Sequence, residues 1–123
     1  MGSLVLYVND LITMTKFYSG LLNLQISDGD EIFTRLSSDQ NELVLHQIPN
    51  EYLEPVNVPP TLREDCVWKP TFDVRAISES RDIAPALGGS ITDESRQWEL
   101  GGFLYSNGND PEGNIIQIRQ PLD

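Results

Sequence analysis

The side chains that most often carry chemistry are scarce in this sequence. It has one histidine, His46, and one cysteine, Cys66, in 123 residues. A single histidine excludes a site built on two or three histidines of one chain, although its imidazole can transfer a proton near neutral pH. A single cysteine excludes an intrachain disulfide and a cysteine-rich metal ribbon, and no histidine stands at a recognisable spacing from Cys66 for nucleophilic catalysis.

The charge balance excludes several classes of partner. Eight basic residues stand against 19 acidic ones, which gives a net charge of −11 at pH 7. No segment is basic, so we expect neither a nucleic acid nor an anionic membrane as partner. No apolar run approaches the ~20 residues that cross a bilayer, and no signal peptide is apparent. We therefore expect a protein of the reducing cytoplasm, whose acidity serves solubility or attracts a cationic small molecule into a cleft.

The first 48 residues predict one helix among four strands. Apolar residues alternate over residues 4–8, which is typical of a strand buried on at least one face. Asp10 can cap the helix that follows, because apolar residues recur at helical spacing from Leu11 to Leu22. Three more strands are expected at Leu24–Ile26, Ile32–Leu36 and Leu43–Ile48, separated by polar turns.

The second half predicts the same order of elements after a proline-rich linker at residues 49–65. A strand is expected at Val67–Val74, and Ser78 can cap a helix that runs to Leu87 and ends at Gly88-Gly89. The remaining strands are expected at Ser90–Thr92, Trp98–Tyr105 and Asn114–Ile118.

A shift of about 66 residues aligns the apolar pattern of the two halves, which indicates an internal repeat. We therefore predict an α+β fold in a single domain, residues 1–123, built from two βαβββ modules at residues 1–48 and 66–123. Each helix covers one face of its own sheet and leaves the other face bare. Two bare faces can form a cleft, either within one chain or across a dimer.

Two motifs carry a resemblance to a known superfamily. One is Val8-Asn9-Asp10-Leu11 with Phe17-Tyr18 and Leu21, and the other is Asp110-Pro111-Glu112-Gly113-Asn114-Ile115-Ile116-Gln117. Together with the repeat, they resemble the vicinal oxygen chelate superfamily, which includes glyoxalase I, extradiol dioxygenases, and fosfomycin and bleomycin resistance proteins. The stretch Leu43–Pro49, with Pro59-Pro60 and Arg63-Glu64, is similar to a branch of small glyoxalase-like proteins. Asp-Pro-Glu-Gly also suits a type I turn, so a structural role is favoured for Asp110 and Gly113.

The resemblance implies four metal-ligand positions, and the residues found there do not suit a metal. They fall on Ser3, Val44, Lys69 and Gln117. A valine has no donor atom, and a lysine near pH 7 is protonated and cannot coordinate. We therefore expect no metal and no cofactor, and the metal-dependent glyoxalase or dioxygenase chemistry of the superfamily is not carried over to this chain.

The same positions suggest what replaces the metal. The ammonium of Lys69 can hold an oxyanion, with His46 and Gln117 as hydrogen-bonding partners. Strand alternation places further ligand-binding candidates on the same faces as these three, and Trp98 can stack on a flat or cationic ligand. Two structural alternatives stay open, an ion pair of Lys69 with Glu42 or Asp73 and a packing role for Trp98. The further candidates on these faces are Tyr7, Glu42 and Arg119.

Two functions follow, and we favour the first. The first is a metal-free small-molecule binding protein similar to the bleomycin-resistance type, with the ligand between the two sheets. The alternative is a metal-independent enzyme that uses Lys69 as an oxyanion anchor and His46 as acid or base. A metal-dependent glyoxalase or dioxygenase ranks below both. The resemblance also implies a homodimer, because proteins of this superfamily often complete their clefts between chains.

Overall fold

The first half of the chain forms a four-stranded sheet covered by one helix. The computed structural model describes residues 2–123. The first module contains β1 (Leu4–Val8), α1 (Leu11–Leu22), β2 (Gln25–Gly29), β3 (Phe33–Ser37) and β4 (Glu42–Gln47). Its strands form sheet A in the order β1-β4-β3-β2, with β1 parallel to β4 and the other neighbours antiparallel.

The second half repeats this arrangement with one elaboration. The second module contains β5 (Thr71–Asp73), α2 (Ile77–Ile83), β6 (Ser90–Ile91), β7 (Trp98–Leu100), β8 (Phe103–Asn109) and β9 (Ile115–Pro121). Sheet B has the order β5-β9-β8-β6, and β7 also pairs with β8. Its edge is thus made by two short strands, β6 and β7, where sheet A has the single strand β2. The predicted α+β fold of two βαβββ units is confirmed.

Helix α1 begins and ends where its capping residues place it. The Asp10 side chain accepts a hydrogen bond from the Thr13 backbone N–H, which satisfies one of the free donors of the first turn. At the other end Asn23 takes a left-handed conformation, with φ of 52°, and stops the helix. The apolar stripe between the caps is buried against sheet A and the second module, and consists of Leu11, Met14, Phe17, Tyr18, Leu21 and Leu22.

Helix α2 is shorter than its sequence predicts. Its N-cap is Ala76 rather than Ser78, and no side chain caps it. The regular helix ends at Ile83, and a 3₁₀ turn continues over Ala84–Leu87, because Pro85 cannot donate a helical hydrogen bond. Gly88, with φ of 93°, then ends the segment at the predicted position.

Two predicted strands differ most from those observed. The strand expected at Val67–Val74 is reduced to β5, because Pro70 lacks an N–H for the ladder, and Val67 and Trp68 before it are exposed. The strand expected at Trp98–Tyr105 is a hairpin, because Gly101 and Gly102 both take positive φ and reverse the chain.

The two modules share one hydrophobic core. The inner face of each sheet meets the helices, and the core includes Leu43 and Leu45 of sheet A together with Ile116 and Ile118 of sheet B. The ring of Tyr18 lies 5.9 Å from that of Phe72 across the junction. Within residues 2–123, no helix is long and apolar enough to span a bilayer.

Candidate functional site

Each sheet has an outer face that points away from the helices and the shared core. Alternation along the strands assigns the side chains to these faces, because successive residues point to opposite sides of a sheet. Outer face A consists of Val5, Tyr7, Phe33, Arg35, Glu42, Val44 and His46. Outer face B consists of Lys69, Thr71, Asp73, Trp98, Phe103, Tyr105, Asn107, Gln117 and Arg119.

Outer face A is mostly apolar, and its charges are neutralised within it. The carboxylate of Glu42 lies 3.7 Å from the guanidinium of Arg35. The rings of Tyr7 and His46, which are partners in the β1–β4 register, have centroids 5.0 Å apart. Tyr7 is 59% exposed and Val5 is 54% exposed, so an apolar strip of β1 is open to solvent in the single chain.

The imidazole of His46 has a defined hydrogen bond. Its Nδ1 lies 3.0 Å from the backbone oxygen of Gln47. A carbonyl oxygen only accepts, so in the neutral ring Nδ1 carries the proton and Nε2 is the free acceptor. His46 can therefore take a proton from a group placed against outer face A.

Outer face B carries a lysine beside an aromatic pair. The Lys69 ammonium donates to the side-chain oxygen of Asn107 at 2.9 Å and lies 5.9 Å from the centroid of the Trp98 ring. The rings of Trp98 and Tyr105 are stacked within 8° of parallel, with centroids 5.5 Å apart. Among residues 2–123, no carboxylate pairs with Lys69, since Glu42 and Asp73 have arginine partners.

A second cation on outer face B is neutralised. Arg119 Nε donates to Asp73 Oδ1 at 2.7 Å, and its guanidinium carbon lies 4.0 Å from the centroid of the Phe103 ring. Hydrogen bonds to Asp73 and then to Tyr105 raise the pKa of Arg119 above its usual range. Arg119 is therefore held by partners of its own sheet.

Two amide side chains, those of Gln117 and Asn107, also lie on outer face B. Gln117 Oε1 accepts from the Thr71 hydroxyl at 2.7 Å, and Asn107 is the neighbour of Gln117 in the β8–β9 register. Both amide oxygens are thus used within the face, and both amide NH₂ groups are without a partner among the described residues. They stand next to Lys69 and extend its set of hydrogen-bond donors.

The seven predicted site residues form two groups rather than one. Tyr7, Glu42 and His46 lie on outer face A, whereas Lys69, Trp98, Gln117 and Arg119 lie on outer face B. Within residues 2–123, no hydrogen bond or ion pair joins a member of one group to a member of the other. The site that the sequence predicts is therefore two half-sites in the single chain.

Three residues of outer face B were missed by the sequence reasoning. They are Phe103, Tyr105 and Asn107, which follow the turn in the β7–β8 hairpin. A continuous strand over 98–105 would place Trp98 and Tyr105 on opposite faces, whereas the hairpin places them side by side. The signal was the pair Gly101-Gly102, which is typical of a two-residue hairpin turn.

The segment Asp110–Gly113 has the structural role that its sequence favours. It forms a joint, which connects helix α1 to the second module. The buried Asp110 carboxylate accepts from the Tyr18 hydroxyl at 2.6 Å and from Asn114, and Glu112 accepts from the backbone N–H groups of Asn9 and Asp10. Burial raises the pKa of Asp110, although these hydrogen bonds act in the opposite direction. The joint therefore ties the start and middle of α1 to the second module.

A groove of about 610 Å³ lies beside this joint, away from both half-sites. Its walls come from the linker, the 3₁₀ turn after α2 and the joint itself, and include Pro59, Pro85 and Pro111. None of the seven predicted site residues lines it. The chain thus has a groove of its own, but the predicted chemistry lies elsewhere.

The four positions implied as metal ligands lie near the outer faces, but their atoms do not suit a metal. Val44 offers no donor atom, and the Lys69 ammonium is already a hydrogen-bond donor to Asn107. Across residues 2–123, no three His, Cys, Asp or Glu side chains come together as a possible metal group. The residues at these four positions therefore do not fit a catalytic metal.

Solved structures with the same fold cover nearly the whole chain. A glyoxalase/bleomycin resistance protein/dioxygenase family enzyme from Burkholderia phytofirmans is 19% identical, with a TM-score of 0.67 over 98% of this chain and 97% of its own. A glyoxalase/bleomycin resistance protein from Albidiferax ferrireducens is 19% identical, with a TM-score of 0.65 over 98% and 97%. The fosfomycin resistance protein FosX from Listeria monocytogenes is 12% identical, with a TM-score of 0.66 over 98% and 91%.

These comparisons identify the fold. Neither the protein-family models nor the curated proteins give a match to the sequence. The structural similarity nevertheless spans both modules, so the chain has the vicinal oxygen chelate fold that its motifs predict. Identities this low carry no activity from one protein to another, because one fold serves many functions.

Proposed function

We propose that this chain is a metal-free small-molecule binding protein whose cleft forms between outer face A of one copy and outer face B of a second copy. The observation that carries the proposal is the division of the candidate residues into two half-sites. Each half-site lies on a sheet face that the chain itself leaves uncovered. A homodimer brings complementary halves together, because its twofold axis creates the A–B contact twice.

The exposed apolar side chains of the two faces support the proposal that a second copy of the chain covers them. The exposed strip of Val5 and Tyr7 on outer face A is apolar, and Leu100 beside outer face B is 66% exposed. Burying apolar area of this kind favours association by roughly 25 cal/mol per Å² before the entropic costs are subtracted. Apart from Lys69, the charged side chains of the faces are arranged as two ion pairs, so among residues 2–123 a second copy covers no other unpaired lysine, arginine or carboxylate of these faces.

The residues of the cleft suit binding and do not suit a metal. Lys69 supplies a positive charge, Asn107 and Gln117 supply amide donors, and Trp98 with Tyr105 supplies a flat apolar surface. These groups can fix the orientation of a ligand without a metal ion. The unpaired and exposed Cys66 fits the reducing, cytoplasmic setting that we expect.

One observation favours a catalytic alternative at the same place. His46 has a fixed tautomer with a free Nε2 acceptor, and Lys69 offers a charge that can stabilise a developing oxyanion. In such an enzyme His46 of one copy removes a proton from the substrate, and Lys69 of the other copy holds the resulting oxygen anion. Turnover then requires both residues, whereas simple binding requires Lys69 but not His46.

The test combines oligomeric state, metal content and ligand binding on untagged protein. We expect a dimer by sedimentation equilibrium, no stoichiometric metal by elemental analysis, and saturable binding of at least one compound in a small-molecule panel by thermal shift. A monomer, or a stoichiometric bound metal, would contradict the proposal. His46→Gln tests the catalytic alternative: turnover of a bound compound that this substitution abolishes indicates the enzyme, whereas binding without turnover in the unmodified protein indicates the binding protein.

A further inference from the structure

We infer that the ligand of this cleft is a planar carboxylate, an aromatic or conjugated acid whose anionic group meets Lys69. The inference rests on the proposed function, since it names the ligand class of the same cleft. It is carried by three features of outer face B: free hydrogen-bond donors around Lys69, a positive charge that has no acidic partner within residues 2–123, and a stacked aromatic pair.

The groups that surround Lys69 on outer face B have free donors. Asn107 uses its side-chain oxygen on Lys69, and Gln117 uses its oxygen on Thr71, so the NH₂ of each amide is free to donate to a ligand. The Lys69 ammonium likewise donates and never accepts. A carboxylate is the complementary group, because its two oxygens only accept and it carries the opposite charge.

The charge of this face runs against that of the whole chain. The chain carries −11, whereas outer face B holds two cations, Lys69 and Arg119, and a single carboxylate, Asp73. Arg119 and Asp73 neutralise each other at 2.7 Å, which leaves Lys69 as the residual charge of the face. An anion is therefore attracted to this face although the rest of the surface repels it.

A cationic ligand is disfavoured at the same place. The aromatic faces that attract cations already have a cation of the chain near them, Lys69 at Trp98 and Arg119 at Phe103. A cationic drug has to displace one of them or approach beside it, and both routes cost free energy. The expectation that the acidic chain attracts a cationic ligand is therefore not supported at outer face B.

The aromatic pair selects for a flat ligand. The rings of Trp98 and Tyr105 stand parallel on adjacent strands, next to the Lys69 ammonium. A planar group that packs on this pair keeps its carboxylate within reach of the donors, whereas a puckered ring loses contact area. The aromatic pair thus favours a flat ligand, and the neighbouring donors favour a negatively charged one.

The test uses four matched compounds and four variants in isothermal titration calorimetry. The compounds are naphthoate, naphthylmethylammonium, naphthalenemethanol and cyclohexanecarboxylate, which separate charge from flatness. The variants are Lys69→Met and Trp98→Leu, with Lys16→Met and Trp68→Leu as controls. Lys16 and Trp68 are the only other lysine and tryptophan of the chain, so each control removes the same side chain outside the site.

We expect naphthoate to bind at least tenfold more tightly than each of the other three compounds. Lys69→Met should weaken naphthoate about tenfold or more and leave naphthalenemethanol unchanged, and Trp98→Leu should weaken both. The two controls should bind as the unmodified protein does. Circular dichroism of each variant establishes that it is folded.

Other results overturn the inference, and they are distinguishable from failure of the proposed function. Equal or tighter binding of naphthylmethylammonium to a dimer would leave the cleft intact and reject the carboxylate. Naphthoate binding that survives Lys69→Met, or no naphthoate binding at all, would also reject it. A monomer in sedimentation would reject the two-copy cleft itself, independently of which compound binds best.

Discussion

On outer face A the charged side chains neutralise each other, whereas on outer face B one ammonium and two amide groups have no acidic partner. Arg35 and Glu42 are paired at 3.7 Å on the first face, while within residues 2–123 the neutral Asn107 is the one hydrogen-bond acceptor of Lys69 on the second. The two faces share their strand order, so the difference lies in side chains rather than topology. Face A is suited to be a wall of the cleft, and face B to anchor a ligand.

The edges of the two sheets differ, and the edge of sheet B brings the aromatic pair of outer face B together. Sheet A ends in one strand, β2, all of whose residues are exposed. In sheet B the edge is divided into β6 and β7 by the 3₁₀ turn Glu94–Arg96, and the Gly101-Gly102 hairpin aligns Trp98 with Tyr105. A local change at the edge of a repeated module therefore places two aromatic rings side by side on its outer face.

The largest expected effect comes from breaking the joint that holds the two faces in one chain. Asp110→Ala removes the acceptor of the Tyr18 hydroxyl and of the Asn114 amide, which leaves buried donors without partners. We expect the free energy of unfolding to fall by about 3 kcal/mol in urea denaturation. Asp39→Ala, at an exposed turn, should change it by less than about 0.5 kcal/mol. Equal effects of the two substitutions would contradict this role of Asp110.

The second largest effect should be on dimer dissociation, after a substitution on outer face A. Val44→Asp places a carboxylate in the middle of outer face A, where a second copy is expected to exclude water. Arg35, the cross-strand neighbour of Val44, already pairs with Glu42, so the added carboxylate has no partner of its own. We expect the dissociation constant of the dimer to rise by roughly 100-fold, because burying such a charge costs several kcal/mol. Ile12→Asp, on an exposed position of α1, is the matched control and should leave the dimer intact. If analytical ultracentrifugation gives both variants the same dissociation constant, outer face A is not the interface.

A smaller effect should follow from releasing the second cation of outer face B. Asp73→Asn removes the carboxylate partner of Arg119, so the face gains a second charge for an anionic ligand. We expect naphthoate binding to strengthen a few-fold, and stability to fall by only about 0.5 kcal/mol because the pair is partly exposed. Weaker binding in this variant would mean that Arg119 does not face the ligand.

The smallest effect is a pH dependence confined to the joint. Burial raises the pKa of Asp110 in the folded chain, so the folded form binds this proton more readily than the unfolded form does. The contribution of Asp110 to stability therefore increases as the pH falls from 7 through its folded pKa, and is lost as the pH rises again. Asp110→Asn cannot titrate, so the unmodified protein should gain stability relative to this variant on acidification. A difference that stays constant over this range in urea denaturation would contradict the shift.

Much of the fold was predictable from the sequence, because its signals are local. The apolar stripe of α1, the cap at Asp10 and the repeat of strand patterns gave the order of elements and the α+β class. Helix α2 was harder, since Pro85 ends it early and no side chain caps it. The residue at which β5 begins depends on hydrogen bonds from its partner strand. Residues 67–70 alone do not show where those hydrogen bonds form.

The positions of the candidate residues on the sheets were predictable one by one, but their arrangement relative to one another was not. Alternation placed Tyr7, His46, Lys69 and Gln117 on the outer faces, because face assignment follows from the period of a strand. Which of these faces share a cleft depends on how the modules pack, and that packing is set by long-range contacts such as Tyr18 to Asp110. No short stretch of sequence carries that information.

The most direct test of the two-copy cleft is a cross-link between its two halves. Val44→Cys and Gln117→Cys are combined in a Cys66→Ser background, and the protein is treated with a short bismaleimide. Within one chain the shared core lies between the two sheets, so we expect the link to join two copies and the product to have twice the mass of the chain, with peptide mapping showing Val44→Cys linked to Gln117→Cys. Product of single-chain mass, with both cysteines modified, would contradict the cleft.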